Sequence, residues 1–153
     1  MYYVYAPSDS TKNERNGIDI SPKESNVRTR VHEYGGGAVV IRDKSIFYSE
    51  FTTQKLCKLV EDGRSEPIPS SAPADKEEEE GRYRYADGVL SSNGNIIYCV
   101  REDHKHSQPK NVVNEIVSID VRDGCTKVLA TGNDFYAHPR VSSNGKKLAY
   151  VTW

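Results

Sequence analysis

No apolar run in this 153-residue sequence approaches the roughly 18 residues that a helical membrane span needs, so a membrane partner is not expected. Excess charge of either sign is also missing. Twenty-one Lys and Arg stand against 22 Asp and Glu, a formal net charge of −1, which gives no basic excess to neutralise phosphates, so no nucleic-acid partner is expected. Met1-Tyr2-Tyr3-Val4-Tyr5 has neither the basic start nor the apolar core of a secretory signal, and a cytoplasmic location is expected. Cysteine is scarce: Cys57, Cys99 and Cys125 are odd in number, scattered and set in apolar runs, which fits neither a disulfide framework nor a zinc site. All three are expected as buried thiols. No serine has glycines at both flanking offsets of Gly-x-Ser-x-Gly, so the chain carries no nucleophile elbow, and no helical periodicity suggests a doubly wound sheet.

A repeat fills the space these exclusions leave. Tyr85-Ala86-Asp87-Gly88-Val89-Leu90-Ser91-Ser92-Asn93-Gly94 returns as Tyr136-Ala137-His138-Pro139-Arg140-Val141-Ser142-Ser143-Asn144-Gly145, and 136 − 85 = 51. The register continues, pairing Ile97 with Leu148 and Val100 with Val151, and reaches back to Tyr34 because 85 − 34 = 51. A period near 50 built from short apolar runs and turn residues is that of four-stranded propeller blades, which bury their faces by stacking on neighbours. The expected fold is therefore all-β, an incomplete β-propeller of about two and a half blades plus a partial N-terminal blade. A ring needs at least about four blades to close. The isolated chain is accordingly expected to leave strand edges uncovered and to aggregate or fold only in part.

Turn residues divide the chain into five stretches. Residues 1–33 form a partial blade and connecting segment, with Met1-Tyr2-Tyr3-Val4-Tyr5 and Gly17-Ile18-Asp19-Ile20 as its strands. Residues 34–70 form a blade with strands near 37–42, 45–51 and 54–60 and a short outer one near 67–69, where Pro67 and Pro69 are tolerable because an edge strand can spare a ladder donor. Residues 71–84, with Glu77-Glu78-Glu79-Glu80, read as an exposed acidic loop. Residues 85–130 form a second blade, its inner hairpin turning at Asn93-Gly94, with a loop inserted at 102–113. Residues 131–153 begin a further blade.

Asn26-Val27-Arg28-Thr29-Arg30-Val31-His32-Glu33-Tyr34-Gly35-Gly36-Gly37 resembles the propeller segment of the prolyl oligopeptidase family of serine peptidases, in its dipeptidyl aminopeptidase and acylaminoacyl-peptidase-like branch. Tyr85-Ala86-Asp87, Val100-Arg101-Glu102-Asp103-His104, Asn114-Glu115-Ile116-Val117 and Gly132-Asn133-Asp134-Phe135-Tyr136 follow in that branch's order. The resemblance implies a non-catalytic propeller that caps the α/β-hydrolase domain of its parent chain and admits short peptides. The family's Ser-Asp-His triad has no counterpart here, so no residue is expected to be catalytic and no cofactor is implied. The contrasting expectation is a non-enzymatic interaction propeller whose loops bind a protein.

Candidate contact residues gather at Arg101-Glu102-Asp103-His104, where opposite charges at a strand end suit a substrate's terminal carboxylate or amine. The plainer expectation is an ion pair from Arg101 to an acid of the neighbouring blade, ordering the insertion. Glu102, Asp103, His104 and His106 are metal-ligand types, but their spacing fits no rigid site and Lys105 adds positive charge, so no metal is expected. Tyr34-Gly35-Gly36-Gly37 feeds the β-branched run Val39-Val40-Ile41 and not a helix, which argues for close strand packing over a phosphate cradle. Tyr34, Tyr85 and Tyr136 share a repeat slot, which points to blade packing.

Overall fold

Antiparallel ladders account for almost all of the regular structure, as the repeat requires. The computed structural model describes residues 18–60, 63–69, 81–106 and 108–153 and the strand Tyr3–Val4. In chain order the strands are β1 (Tyr3–Val4), β2 (Ile18–Asp19), β3 (Val39–Arg42), β4 (Ser45–Ser49), β5 (Leu56–Leu59), β6 (Ser65–Pro67), β7 (Tyr83–Leu90), β8 (Ile96–Asp103), β9 (Val113–Asp120), β10 (Thr126–Thr131), β11 (Tyr136–Val141) and β12 (Leu148–Thr152). They form two four-stranded meanders, β3-β4-β5-β6 and β7-β8-β9-β10, and the two-stranded ladders β1-β2 and β11-β12. Each meander is one blade, and the fold is that of a partial β-propeller.

Blade stacking explains why these strands read as nearly continuous apolar runs. Ile97, Cys99, Val117 and Ile119 of the second blade pack on Val40, Phe47 and Leu56 of the first. The alternate residues Val100 and Ile116 turn the other way, with Ala86, onto Tyr136 of the third blade and Val31. Because side chains alternate along a strand, a sheet sandwiched between two others needs apolar residues at both parities. Ile97, Val100, Ile116 and Val117 have no exposed surface at all.

Close approach between blades rests on particular glycines. A Cβ at Gly88 would lie 2.3 Å from Cγ2 of Val40, and one at Gly37 would lie 3.0 Å from the Asp87 carboxylate. The glycines after Tyr34 thus serve strand packing, and no helix follows them.

Several sequence-based boundaries move. β8 runs on to Asp103 and β9 starts at Val113, so Glu102 and Asp103 belong to the ladder and the inserted loop shrinks to 104–112, with a 3₁₀ turn at Pro109–Asn111. β7 likewise begins at Tyr83, inside the stretch expected as loop. The outer strand of the first blade is Ser65–Pro67, leaving Pro69 beyond it. Residues 70–80, including the four glutamates, lie outside the described residues, as do Met1, Tyr2, Tyr5 and Gly17. Cys57 and Cys99 are buried, but Cys125 is exposed, because it sits in the β9–β10 connection, where no sheet among the described residues covers it.

Tyr34 also departs from the expected slot. Val40 pairs with Phe47 as Leu90 pairs with Ile97, so the first two blades are offset by 97 − 47 = 50 residues and not 51. That register sets Tyr34 level with Arg84. Tyr34 lies in a turn ahead of β3 and is 78% exposed, whereas Tyr136 opens β11 and is buried in the core.

Candidate functional site

The end of the sheets where β7 begins and β8 finishes collects the 104–112 loop, the turn at 31–34 and the 132–135 connection. Strand alternation splits the four candidate residues there into two sets. Arg101 lies opposite Glu115 on β9, and its Nη2 and Nε donate to Glu115 Oε2 at 2.6 and 2.9 Å. The guanidinium also sits 4.5 Å over the Tyr83 ring. Burial works against the charged guanidinium, yet the bonds to Glu115 raise its pKa on balance. This partner belongs to the adjacent strand of the same blade, which corrects the expected blade-to-blade pair: the ladder places Arg101 and Glu115 face to face, within reach of a short, largely buried contact in which two guanidinium N–H groups converge on one carboxylate oxygen.

Asp103 is gripped by Arg82, whose Nε and Nη2 donate at 2.8 and 2.9 Å, and by the Lys105 amide at 2.9 Å. Burial pushes its carboxyl up, but those donors outweigh burial and hold it below the usual carboxylate range.

Glu102 faces the other way and is 3% exposed. Its Oε1 accepts the His32 backbone N–H at 2.8 Å and lies 3.2 Å from His32 Nδ1, while Oε2 meets His104 Nε2 at 2.9 Å. His32 Nε2 in turn contacts the Tyr136 carbonyl at 3.3 Å. One buried carboxylate therefore ties the segment before the first blade to the second blade and, through His32, to the third. His32 and Glu33 both adopt left-handed backbone, φ 57° and 62°. Non-glycine residues hold that conformation at a cost of about 1 kcal/mol or more each, so the surrounding bonds must impose it. Arg84 Nη1 contributes by donating to Glu33 Oε1 at 2.7 Å and to the Arg30 carbonyl at 3.1 Å.

The structure brings Glu102 and His104 together, sends Arg101 and Asp103 into separate ion pairs, and leaves His106 exposed. Among the described residues no three His, Cys, Asp or Glu side chains are placed to hold a metal.

Two residues that carry the site's geometry went unassigned in the sequence reading, His32 and Asp87. Asp87 Oδ1 accepts Gly37 N–H at 2.7 Å and Oδ2 accepts His138 N–H at 3.1 Å, so this carboxylate spans all three blades. The ladder slips at this point in both β7 and β11, between Ala86 and Val89 and between Ala137 and Arg140. Asp87 and His138 sit in these bulges with φ 56° and 52°. Their shared repeat slot was the available signal, since a polar residue recurring before Gly88 or Pro139 interrupts an apolar strand.

No family model matches this chain, and no curated protein matches it. Solved structures do. A puromycin-hydrolysing peptidase of Mycobacterium tuberculosis is 32% identical over 90% of this chain and 22% of its own length, with a TM-score of 0.74. A puromycin hydrolase is 22% identical, covering 91% of this chain and 23% of that one at a TM-score of 0.73. A mutant puromycin hydrolase complexed with PGG gives 24% identity, 90% and 22% coverage, and a TM-score of 0.71. The chain thus spans less than a quarter of these structures, and the part it matches is a propeller region.

Proposed function

We propose, for a chain that matches the propeller region of prolyl oligopeptidase-family peptidases, that it forms part of the lid over the active site of a serine peptidase. The hydrolytic Ser, Asp and His stand in an α/β-hydrolase domain of the parent protein, and the substrates are short peptides or aminoacyl amides. The observation that carries this reading is the extent of the match: 90% of this chain at 32% identity, against 22% of a peptidase several times longer. A rigid stack of blades over a hydrolase site excludes water and long chains while leaving room for small substrates.

Arg101, Glu102, Asp103 and His104 serve that lid by ordering its mouth. Each charge among them is already matched inside the chain, so they set the position of the 104–112 loop and the 31–34 turn, which border the opening. A cytoplasmic setting accords with Cys57 and Cys99 as buried free thiols.

Substrate length tests the proposal. In the full-length protein, peptides of a few residues are cleaved and a 30-residue peptide with the same scissile bond is not. A seam-loosening change such as Asp87→Ala narrows that difference. Equal cleavage of both lengths by the unaltered protein contradicts a lid.

A further inference from the structure

Four aromatic rings run in a row along the loop-bearing end of the sheets. Tyr34 and His32 have centroids 5.7 Å apart, His32 and Phe135 meet edge to face at 5.2 Å, and Phe135 stacks on Trp153 at 5.5 Å. The row crosses from the turn before the first blade to the third blade. Tyr34, at its head, is 78% exposed.

No described residue covers the Tyr34 ring, and the backbone beneath it is constrained. His32 and Glu33 are both left-handed, a conformation that side-chain-bearing residues keep only where their surroundings enforce it, and one that clusters at ligand contacts. Enforcement comes from Glu102, which accepts the His32 N–H, from Arg84 on Glu33, and from the turn bonds Glu33 N to Arg30 O and Gly35 N to Val31 O at 2.9 and 2.8 Å. The arrangement fixes a large ring that no described residue covers, with His32 and Phe135 braced behind it.

Building on the peptidase reading, we infer that Tyr34 heads an aromatic shelf that binds the aromatic side chain of a short peptide substrate, with Glu33 accepting an N–H beside that ring. An aromatic side chain can add an offset or edge-on contact to Tyr34 and extend the existing row, whereas an alanine side chain offers only a methyl group. Glu33 supplies the charge complement. Its Oε1 is taken by Arg84, and Oε2 accepts no hydrogen bond among the described residues. The bond from Arg84 keeps its carboxyl below the ordinary range, so an ionised acceptor stands next to the shelf at neutral pH.

Binding to the full-length protein tests the inference without depending on turnover. N-acetyl-phenylalanine amide and N-acetyl-alanine amide are compared by saturation-transfer NMR titration on the native sequence, Tyr34→Ala and Tyr34→Phe. The expected result is a preference for the phenylalanine probe that falls about five- to tenfold in Tyr34→Ala and persists in Tyr34→Phe, with unchanged melting temperatures. An unchanged preference in a folded Tyr34→Ala protein overturns the shelf. Active-site labelling by a fluorophosphonate, run on the same samples, separates the two readings: a labelled protein whose Tyr34→Ala form keeps the preference loses only the shelf, and an unlabelled one loses the peptidase reading.

Discussion

The Asp87 carboxylate and the Gly37 amide lie 2.7 Å apart across the boundary between the first two blades. The other oxygen of the same carboxylate takes the His138 amide of the third blade, so Asp87 completes hydrogen bonds that the blades' own ladders leave open. Its left-handed backbone turns the side chain toward both donors.

Asp87→Ala should therefore cost about 2–4 kcal/mol, two charge-assisted bonds plus the left-handed backbone that alanine resents. Asp87→Asn separates these contributions, because asparagine tolerates the backbone but offers only one acceptor oxygen, and about half that loss is expected. Urea midpoints of the full-length protein check both. Equal stability of the native protein and Asp87→Ala would show that the seam is held by apolar packing alone.

Gly88→Ala should destabilise by about 1–3 kcal/mol, since its methyl would stand 2.3 Å from Val40 Cγ2. Val40 cannot turn away freely, being β-branched in a strand. The double variant Gly88→Ala, Val40→Ala should recover most of the overpacking loss while retaining the cost of the smaller core side chain. A strictly additive pair argues that the two residues do not meet.

The blade architecture was legible because turn residues at Asn93-Gly94 and Asn144-Gly145 and the apolar runs after them repeat at one spacing. The site was less so. Arg101, Glu102, Asp103 and His104 stood out by charge, but their partners are set by the ladder: Glu115 faces Arg101 only because β8 and β9 pair in that register. His32 reaches Glu102 through a left-handed turn, which the string Val31-His32-Glu33-Tyr34 does not advertise. Tyr34 was misplaced for a similar reason, as the tyrosine before three glycines mimicked Tyr85 one residue out of register.

Acid should weaken the contact of Asp103 with Arg82 in a defined direction. The Asp103 carboxyl is held below its ordinary range in the fold, so the stability it contributes is present above the unfolded value near ~3.9 and is lost as pH falls through the folded one. Thermal melts from pH 6 down to about pH 3 should show the native protein losing more stability than Asp103→Asn, whose side chain does not titrate. Parallel pH curves for the two would remove Asp103 from the linkage.

Thiol reactivity should divide the cysteines in the folded protein. Burial pushes the Cys99 thiol up to about 12 and raises that of Cys57 as well, whereas Cys125 is exposed. Iodoacetamide at pH 8 should modify Cys125 within minutes and spare the other two until denaturant is added. Rapid modification of Cys99 under native conditions indicates that the stack between the first two blades opens readily.

Labelling of the native cellular protein by a fluorophosphonate probe, captured through an antibody to residues 104–112 and weighed intact, most directly decides whether these blades cover a serine peptidase. The lid reading predicts a labelled species several times heavier than the 17.2 kDa of this chain. An unlabelled species would contradict it and point to a propeller that binds a partner without hydrolysing one.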